Sequence, residues 1–209
     1  VSDVDEDDLT LSLSGTDADS FNLSTDNVLT FKEAPDFETK SSYSITLSLT
    51  DGVETVTKDI SIAVTNVNDI APVFTSEATF SAAENQTAIG SVVETDAEGD
   101  EITFTVSGSE LAITSAGVLT FASAPDFETK ASYTATVTAT DGVNPVTQDI
   151  TVTVTNVNDV APVFTSEATF SAAENQTAIG NVTSTDADGD AVTFTVSGSE
   201  LAITSAGVL

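Results

Sequence analysis

The feature that most constrains this chain is a long internal repeat. The segment TNVNDIAPVFTSEATFSAAENQTAIG beginning at Thr65 returns at Thr155, 90 residues on, with Val160 in place of Ile70. Across 65–119 and 155–209, seven of 55 positions differ: Ile70/Val160, Ser91/Asn181, Val93/Thr183, Glu94/Ser184, Glu98/Asp188, Glu101/Ala191 and Ile102/Val192. The run APDFETK at Ala34 recurs at Ala124, and Asp3–Gly15 aligns with Asp96–Gly108, after which the earlier copy carries three extra residues around Thr16–Ser20. Self-similarity at a fixed period means one structural unit used several times. With each unit starting at the Ala-Pro after Asn-Asp, the expected divisions are a partial repeat 1–69, a complete repeat 70–159 and a partial repeat 160–209. The pattern reads as an excerpt of a longer tandem array. The partial repeats cannot close their sheets alone and are expected to leave strand edges unpaired.

Within 70–159, apolar and hydroxyl residues alternate with the period of two that marks half-buried strands. Ile150, Val152 and Val154 alternate with Thr151, Thr153 and Thr155; Tyr133, Ala135, Val137 and Ala139 alternate with Thr134, Thr136, Thr138 and Thr140. Phe104 and Val106 alternate with Thr103 and Thr105, and further strands are expected at 73–83, 87–95, 111–114 and 118–121. Gly99-Asp100, Ser115-Ala116-Gly117 and Asp141-Gly142 are turn signals between them. No segment has a helical period. The pattern predicts an all-β chain of tandem seven-stranded Greek-key sandwiches, immunoglobulin-like and placed end to end, without the Cys and Trp of true immunoglobulin domains.

Charge narrows the partners. Asp and Glu number 34 against 4 Lys and Arg, a formal charge of −30. So few cations leave phosphates unneutralised, which excludes nucleic acid, and anionic membrane surfaces are excluded for the same reason. Because 40% of residues are apolar and strand formers abound, the acidity does not signal disorder. Cys is absent, so neither disulfides nor thiolate metal sites contribute. No stretch approaches the roughly 18 apolar residues of a membrane span. A hard divalent cation, chiefly calcium, is the natural partner of so many carboxylates.

The acids gather at strand ends in five short motifs: Ala83-Glu84-Asn85, Asp126-Phe127-Glu128, Asn156-Val157-Asn158-Asp159, Asp186-Ala187-Asp188 and Asp141-Gly142. Calcium takes 6–8 oxygens, mixing carboxylates, amide oxygens and main-chain carbonyls. Asp-x-Asp and Asp-x-Glu pairs project two carboxylates from one turn, and Asn-x-Asn-Asp in an extended linker offers side-chain and main-chain oxygens together. Turns favour Asp and Asn, but they require neither Glu84 nor Glu128.

Together, in this order and register, these motifs resemble those of the cadherin repeat, specifically a bacterial-type extracellular cadherin-domain protein. The resemblance covers the whole chain and implies calcium at the joints between repeats. One joint would use Glu84, Asp126, Glu128, Asn156, Asn158 and Asp159 with Asp186, Asp188 and the Val160 carbonyl. The joint before it would use Asp36, Glu38, Asn66, Asn68, Asp69, Asp96, Glu98 and Asp141, while Asp3 and Asp5 would serve a preceding repeat. The linker departs from the family pattern by placing Asn at 66 and 156 where Asp is usual, and Glu98 replaces the second Asp of Asp-x-Asp.

Rival motifs fail. In Asp186–Asp190 the glycine is misplaced for an EF-hand, and Ser197 stands where the bidentate Glu belongs. Asn85-Gln86-Thr87 and Asn175-Gln176-Thr177 are glycosylation sequons of a kind that occurs often by chance. Without His or Cys the usual triads and thiol nucleophiles are excluded, and Asp126 with Glu128 lacks an aromatic sugar cleft, so no enzyme is expected. The leading expectation is a calcium-stiffened extracellular array, secreted or cell-surface, serving as adhesin stalk or structural fibre. The alternatives are a filament of like chains completed by strand exchange, and an accessory carbohydrate-binding module meeting cell-surface glycans.

Overall fold

A computed structural model describes residues 8–209; Asp3 and Asp5 lie outside the described residues. The strands are β1 Thr10–Ser14, β2 Phe21–Leu23, β3 Leu29–Phe31, β4 Ser42–Thr50, β5 Thr55–Ala63, β6 Val73–Phe74, β7 Thr79–Ala83 and β8 Ala88–Ser91. They continue with β9 Glu94–Thr95, β10 Thr103–Val106, β11 Leu111–Ile113, β12 Val118–Phe121, β13 Ser132–Thr140, β14 Pro145–Thr155, β15 Val163–Phe164 and β16 Ser184–Thr185. Among the described residues there is no α-helix; a single 3-10 turn, Ala18–Ser20, falls on the three-residue insertion. No helix of the described residues is long and apolar enough to cross a membrane.

The chain divides into two compact units, the first taking the described residues up to Pro72 with Thr95–Glu101 and Asp141–Asn144. In it, β1, β4 and β5 form an antiparallel sheet, with Thr10 opposite Thr50 and Ser42 opposite Ala63, while β2 pairs with β3. Phe21, Phe31 and Tyr43 pack ring against ring at 4.5–5.6 Å, beside the buried Ile45. The insertion is tied down by Asp17, whose carboxylate pairs with Lys40 and accepts the Ser44 N–H.

The second unit comprises Val73–Glu94, Ile102–Thr140 and Pro145–Leu209. A four-stranded sheet in the order β10-β13-β14-β7 and a three-stranded sheet in the order β11-β12-β8 share one core. Val137, Ile150, Val152 and Val154 enter it from the first sheet and Leu111, Leu119 and Phe121 from the second, all nearly inaccessible. Alternation produces this directly, since side chains on a strand point to opposite faces in turn. Each such fully buried side chain is worth about 1.5–3 kcal/mol. β7 joins β14 in parallel, with Phe80 opposite Val152 and Ala83 opposite Thr155. That places the residue after β7, Glu84, beside the start of the linker.

The long strands expected at 73–83 and 87–95 are each broken in two. The Val93 carbonyl accepts both the Thr75 and Ser76 N–H groups, and Ser76 Oγ accepts the Val93 N–H at 3.1 Å. The Val92 N–H turns instead to the Gly117 carbonyl at 2.9 Å.

Gly99, Gly117 and Gly142, in the three expected turns, all take positive φ. Gly117 is also sterically closed, since a Cβ there would lie 2.3 Å from the Val92 carbonyl oxygen, whereas a Cβ on Gly108, at φ +79°, would meet nothing within 4 Å. Gly108→Ala should therefore cost only the left-handed strain, about 1–2 kcal/mol, and Gly117→Ala clearly more. Urea unfolding midpoints check this, and equal losses would contradict it.

Candidate metal centre

Two carboxylate clusters form, one in each compact unit. In the second unit Glu84, Glu128, Asp159 and Asp188 each bring an oxygen to within 4.8 Å of the others. Glu84 is 3% exposed. Its Oε2 accepts the Phe127 N–H at 2.8 Å and its Oε1 the Val157 N–H at 2.7 Å, so one side chain holds the end of β7, the Asp-Phe-Glu turn and the linker together. Asp188 Oδ2 accepts the Asp159 and Val160 N–H groups at 3.0 and 2.8 Å, and Asn156 Nδ2 donates to the Asp188 carbonyl.

The first unit repeats the arrangement with Glu38, Asp69 and Glu98. Glu98 Oε2 accepts the Asp69 and Ile70 N–H groups at 3.0 and 2.9 Å. The longer Glu arm thus makes the same two bonds as Asp188. Asp96 Oδ1 accepts the Glu98 and Asp100 N–H groups, closing the loop that presents Glu98.

Burial leaves four side-chain oxygens without a hydrogen-bond partner among the described residues: Asp96 Oδ2, Glu98 Oε1, Asp188 Oδ1 and Gln148 Oε1. Three belong to the sequence-derived ligand set. An unpaired buried carboxylate oxygen among other carboxylates is costly, and a cation is the counterpart that offsets it. Every donor is a carboxylate, amide or carbonyl oxygen, and the chain has no His or Cys. Such a set fits a hard cation such as calcium and is poorly suited to zinc or copper.

Other predicted ligands are placed differently. Asp126 spends its carboxylate on its own turn, accepting the Thr129 N–H and hydroxyl, and Asp36 does the same with Thr39. The threonine hydroxyl first, and then its N–H, holds each carboxyl below the usual carboxylate range. These residues aim Glu128 and Glu38 into the clusters while standing outside them. Asp186 meets Asp188 and Asp190, and Asp96 meets Glu98 and Asp100, in smaller triads. Asp141 is in none of the carboxylate clusters. Asp141 Oδ1 caps the Val143 and Asn144 N–H groups, and its carbonyl accepts a long bond from Asn68 Nδ2 at 3.4 Å.

The sequence reading missed Asn144 and Asn85. Asn144 Nδ2 donates to Asn68 Oδ1 at 2.8 Å and Asp141 Oδ2 at 3.1 Å, while Asn85 Nδ2 donates to Asp159 Oδ2 at 2.5 Å. Only the position of Asn85 beside Glu84 hinted at this. It also missed Asp100 and Asp190 as third carboxylates of the triads, although the acidic run 186–190 carried that signal.

Crowding shows in the titration of the centre. Glu128 is pushed up to about 7, first by loss of water around its carboxyl; a backbone N–H bond opposes this, and the proton shared with Asp188 and the charges of Glu84 and Asp188 add to it. Glu38 is raised too, first by the same desolvation and then by the charge of Glu98. A raised folded-state value means that the folded protein retains a proton the unfolded chain has released. In metal-free buffer, stability should therefore fall as pH rises from about 4.5 to about 7 and level off above. Melting against pH should show a shallower fall in Glu128→Gln, and an unchanged profile would contradict the assignment.

With the geometry in hand, comparison with known proteins is direct. No family model matches the chain. Human Cadherin-23 is 29% identical over 178 residues, 78% of this chain, and mouse Protocadherin Fat 4 is 30% identical over 198 residues, 84% of it. The chain spans only 5% and 4% of the length of those two relatives. Among solved structures, a cis-dimer of protocadherin gammaB7 EC3-6 superimposes with a TM-score of 0.79 at 24% identity, covering 96% of this chain and 59% of that one. Another solved neighbour, at 25% identity and a TM-score of 0.72, is the protocadherin GammaB4 extracellular domain, with 95% of this chain and 36% of that one covered. The chain is thus cadherin-like, built from β-sandwich domains of the extracellular cadherin type.

Proposed function

We propose that the chain is part of a calcium-stiffened extracellular repeat array acting as an adhesion stalk, with repeat boundaries at 69/70 and 159/160. The observation that carries this is the recurrence, 90 residues apart, of a linker gripped by an acidic side chain with a buried, unpartnered second oxygen: Glu98 at one linker, Asp188 at the next.

Glu84, Glu128, Asp159 and Asp188 would hold a cation at the second linker, and Glu38, Asp69, Glu98 and Asp96 at the first. Bound calcium supplies positive charge shared by oxygens from before and after the linker. The chain's own part is to position those oxygens. Glu84 pins the Val157 N–H, Asp188 pins the N–H groups of Asp159 and Val160, and the Asp126 turn delivers Glu128. Without a counter-charge, Glu128 and Asp188 repel, and the linker is held by hydrogen bonds alone. The role is mechanical: repeats kept in line hold a binding surface away from its attachment, and no catalytic step is involved.

Calcium affinity measured by calorimetry tests the reading. Glu128→Gln should weaken binding at least about tenfold, because it removes a charged ligand. Glu101→Gln, in neither cluster, should leave binding nearly unaltered. Calcium at a hundredfold excess over Kd should add about 2.7 kcal/mol of stability. Equal, small effects from both substitutions would mean that diffuse charge governs binding.

A further inference from the structure

The turn joining β13 to β14, Asp141-Gly142-Val143-Asn144, has a counterpart 90 residues earlier in Asp51-Gly52-Val53-Glu54. Both turns close in the same way. The aspartate Oδ1 accepts the N–H groups two and three residues on, at 2.7 and 2.6 Å in the later turn and 2.8 and 2.6 Å in the earlier one. The side chain at the fourth position is therefore not needed to shape the turn. It is Glu54 in one copy and Asn144 in the other, and of the two only the amide can donate.

Asn144 spends that capacity on two oxygens. Its Nδ2 donates to Asn68 Oδ1 at 2.8 Å and to Asp141 Oδ2 at 3.1 Å, and all three residues are half-buried. Asn68 and Asp141 both belong to the oxygen set that the motifs assign to an ion at this linker, yet here their oxygens converge on an amide nitrogen. The buried unpartnered oxygens lie elsewhere. Among the described residues of this linker they are Asp96 Oδ2 and Glu98 Oε1, and none belongs to Asn68 or Asp141.

We propose that the Asn144 amide stands in for a cation at the first linker. The group is neutral, but its two N–H groups place positive hydrogens where Asn68 Oδ1 and Asp141 Oδ2 meet. The linker is thereby tied to the β13–β14 turn with or without metal. Asn68 and Asp141 are withdrawn from ion binding, so metal dependence at this linker is confined to Glu38, Asp69, Glu98 and Asp96. Asn144 is thus a positioning residue: it fixes Asn68, and through it the approach to Asp69. The tie consists of hydrogen bonds alone; its description as an ion's substitute rests on the cation reading above.

Amide exchange at Asp69 and Ile70, the N–H groups that follow Asn68 and are held by Glu98, tests this in the full chain. In chelator, Asn144→Ala should speed exchange there about fivefold, the worth of one ordinary side-chain hydrogen bond. Asp159 and Val160 at the other linker, and core amides such as Val152, should be unchanged. Asn144→Asp keeps the shape but donates nothing. It should loosen the same two amides in chelator, and calcium should return them to wild-type rates, because the new carboxylate completes an oxygen site with Asn68 Oδ1 and Asp141. Asn144→Ala should stay faster than wild type in both buffers. If Asn144→Ala matches wild type in chelator and departs from it only in calcium, Asn144 is an ion ligand and the inference is overturned. It is overturned equally if neither variant departs from wild type, or if calcium leaves the loss in Asn144→Asp in place. A wild type that exchanges alike in calcium and chelator sinks the cation reading alone; the chelator comparison then upholds or overturns the tie.

Discussion

Everything at the ends of these sandwiches depends on carboxylates that bond main-chain N–H groups with one oxygen and leave the other facing more negative charge. Glu98 and Asp188 hold the two residues at the end of each linker in this way. The first oxygen fixes the path of the backbone. The second creates an electrostatic demand that the protein's 4 Lys and Arg cannot meet. Where the cations do occur, they serve local packing: Lys40 and Lys130 each pair with an acid and lie over a tyrosine ring. Neither of these two pairs involves a cluster carboxylate.

Glu84 connects this chemistry to the fold. Among the described residues it is the one buried acid, beside a core of aliphatic and aromatic side chains, and it is buried because β7 runs in parallel beside β14 and ends where the linker starts. The sandwich therefore sets the position of the ligand, and the ligand's two N–H bonds set the path of the linker. A change in β7 or β14 is transmitted to the centre without touching any cluster residue directly.

Period-two alternation made the strands legible, because a Thr/Val strand has only one way to bury its apolar face; β13 and β14 lie where the pattern placed them. The breaks at Ser76 and Val93 were not legible, since they depend on one carbonyl accepting two N–H groups across strands far apart in sequence. Within the centre, the motifs located the acids but not their division of labour. Asp126 and Glu128 look equivalent as an Asp-x-Glu pair, yet one shapes the turn and the other enters the cluster. Glu98 is longer than Asp188 yet makes the same two main-chain bonds, an equivalence that the motif alone did not reveal. Asn144 carried no signal at all. Its importance comes from meeting Asn68, 76 residues away.

The most direct test is amide hydrogen exchange at Phe127, Val157, Asp159 and Val160, the N–H groups held by Glu84 and Asp188. If a cation completes the centre, exchange at these four should slow markedly in calcium relative to chelator, while core amides such as Val152 change little. Equal exchange in calcium and chelator at all four would contradict the account, because the linker would then be held by hydrogen bonds alone.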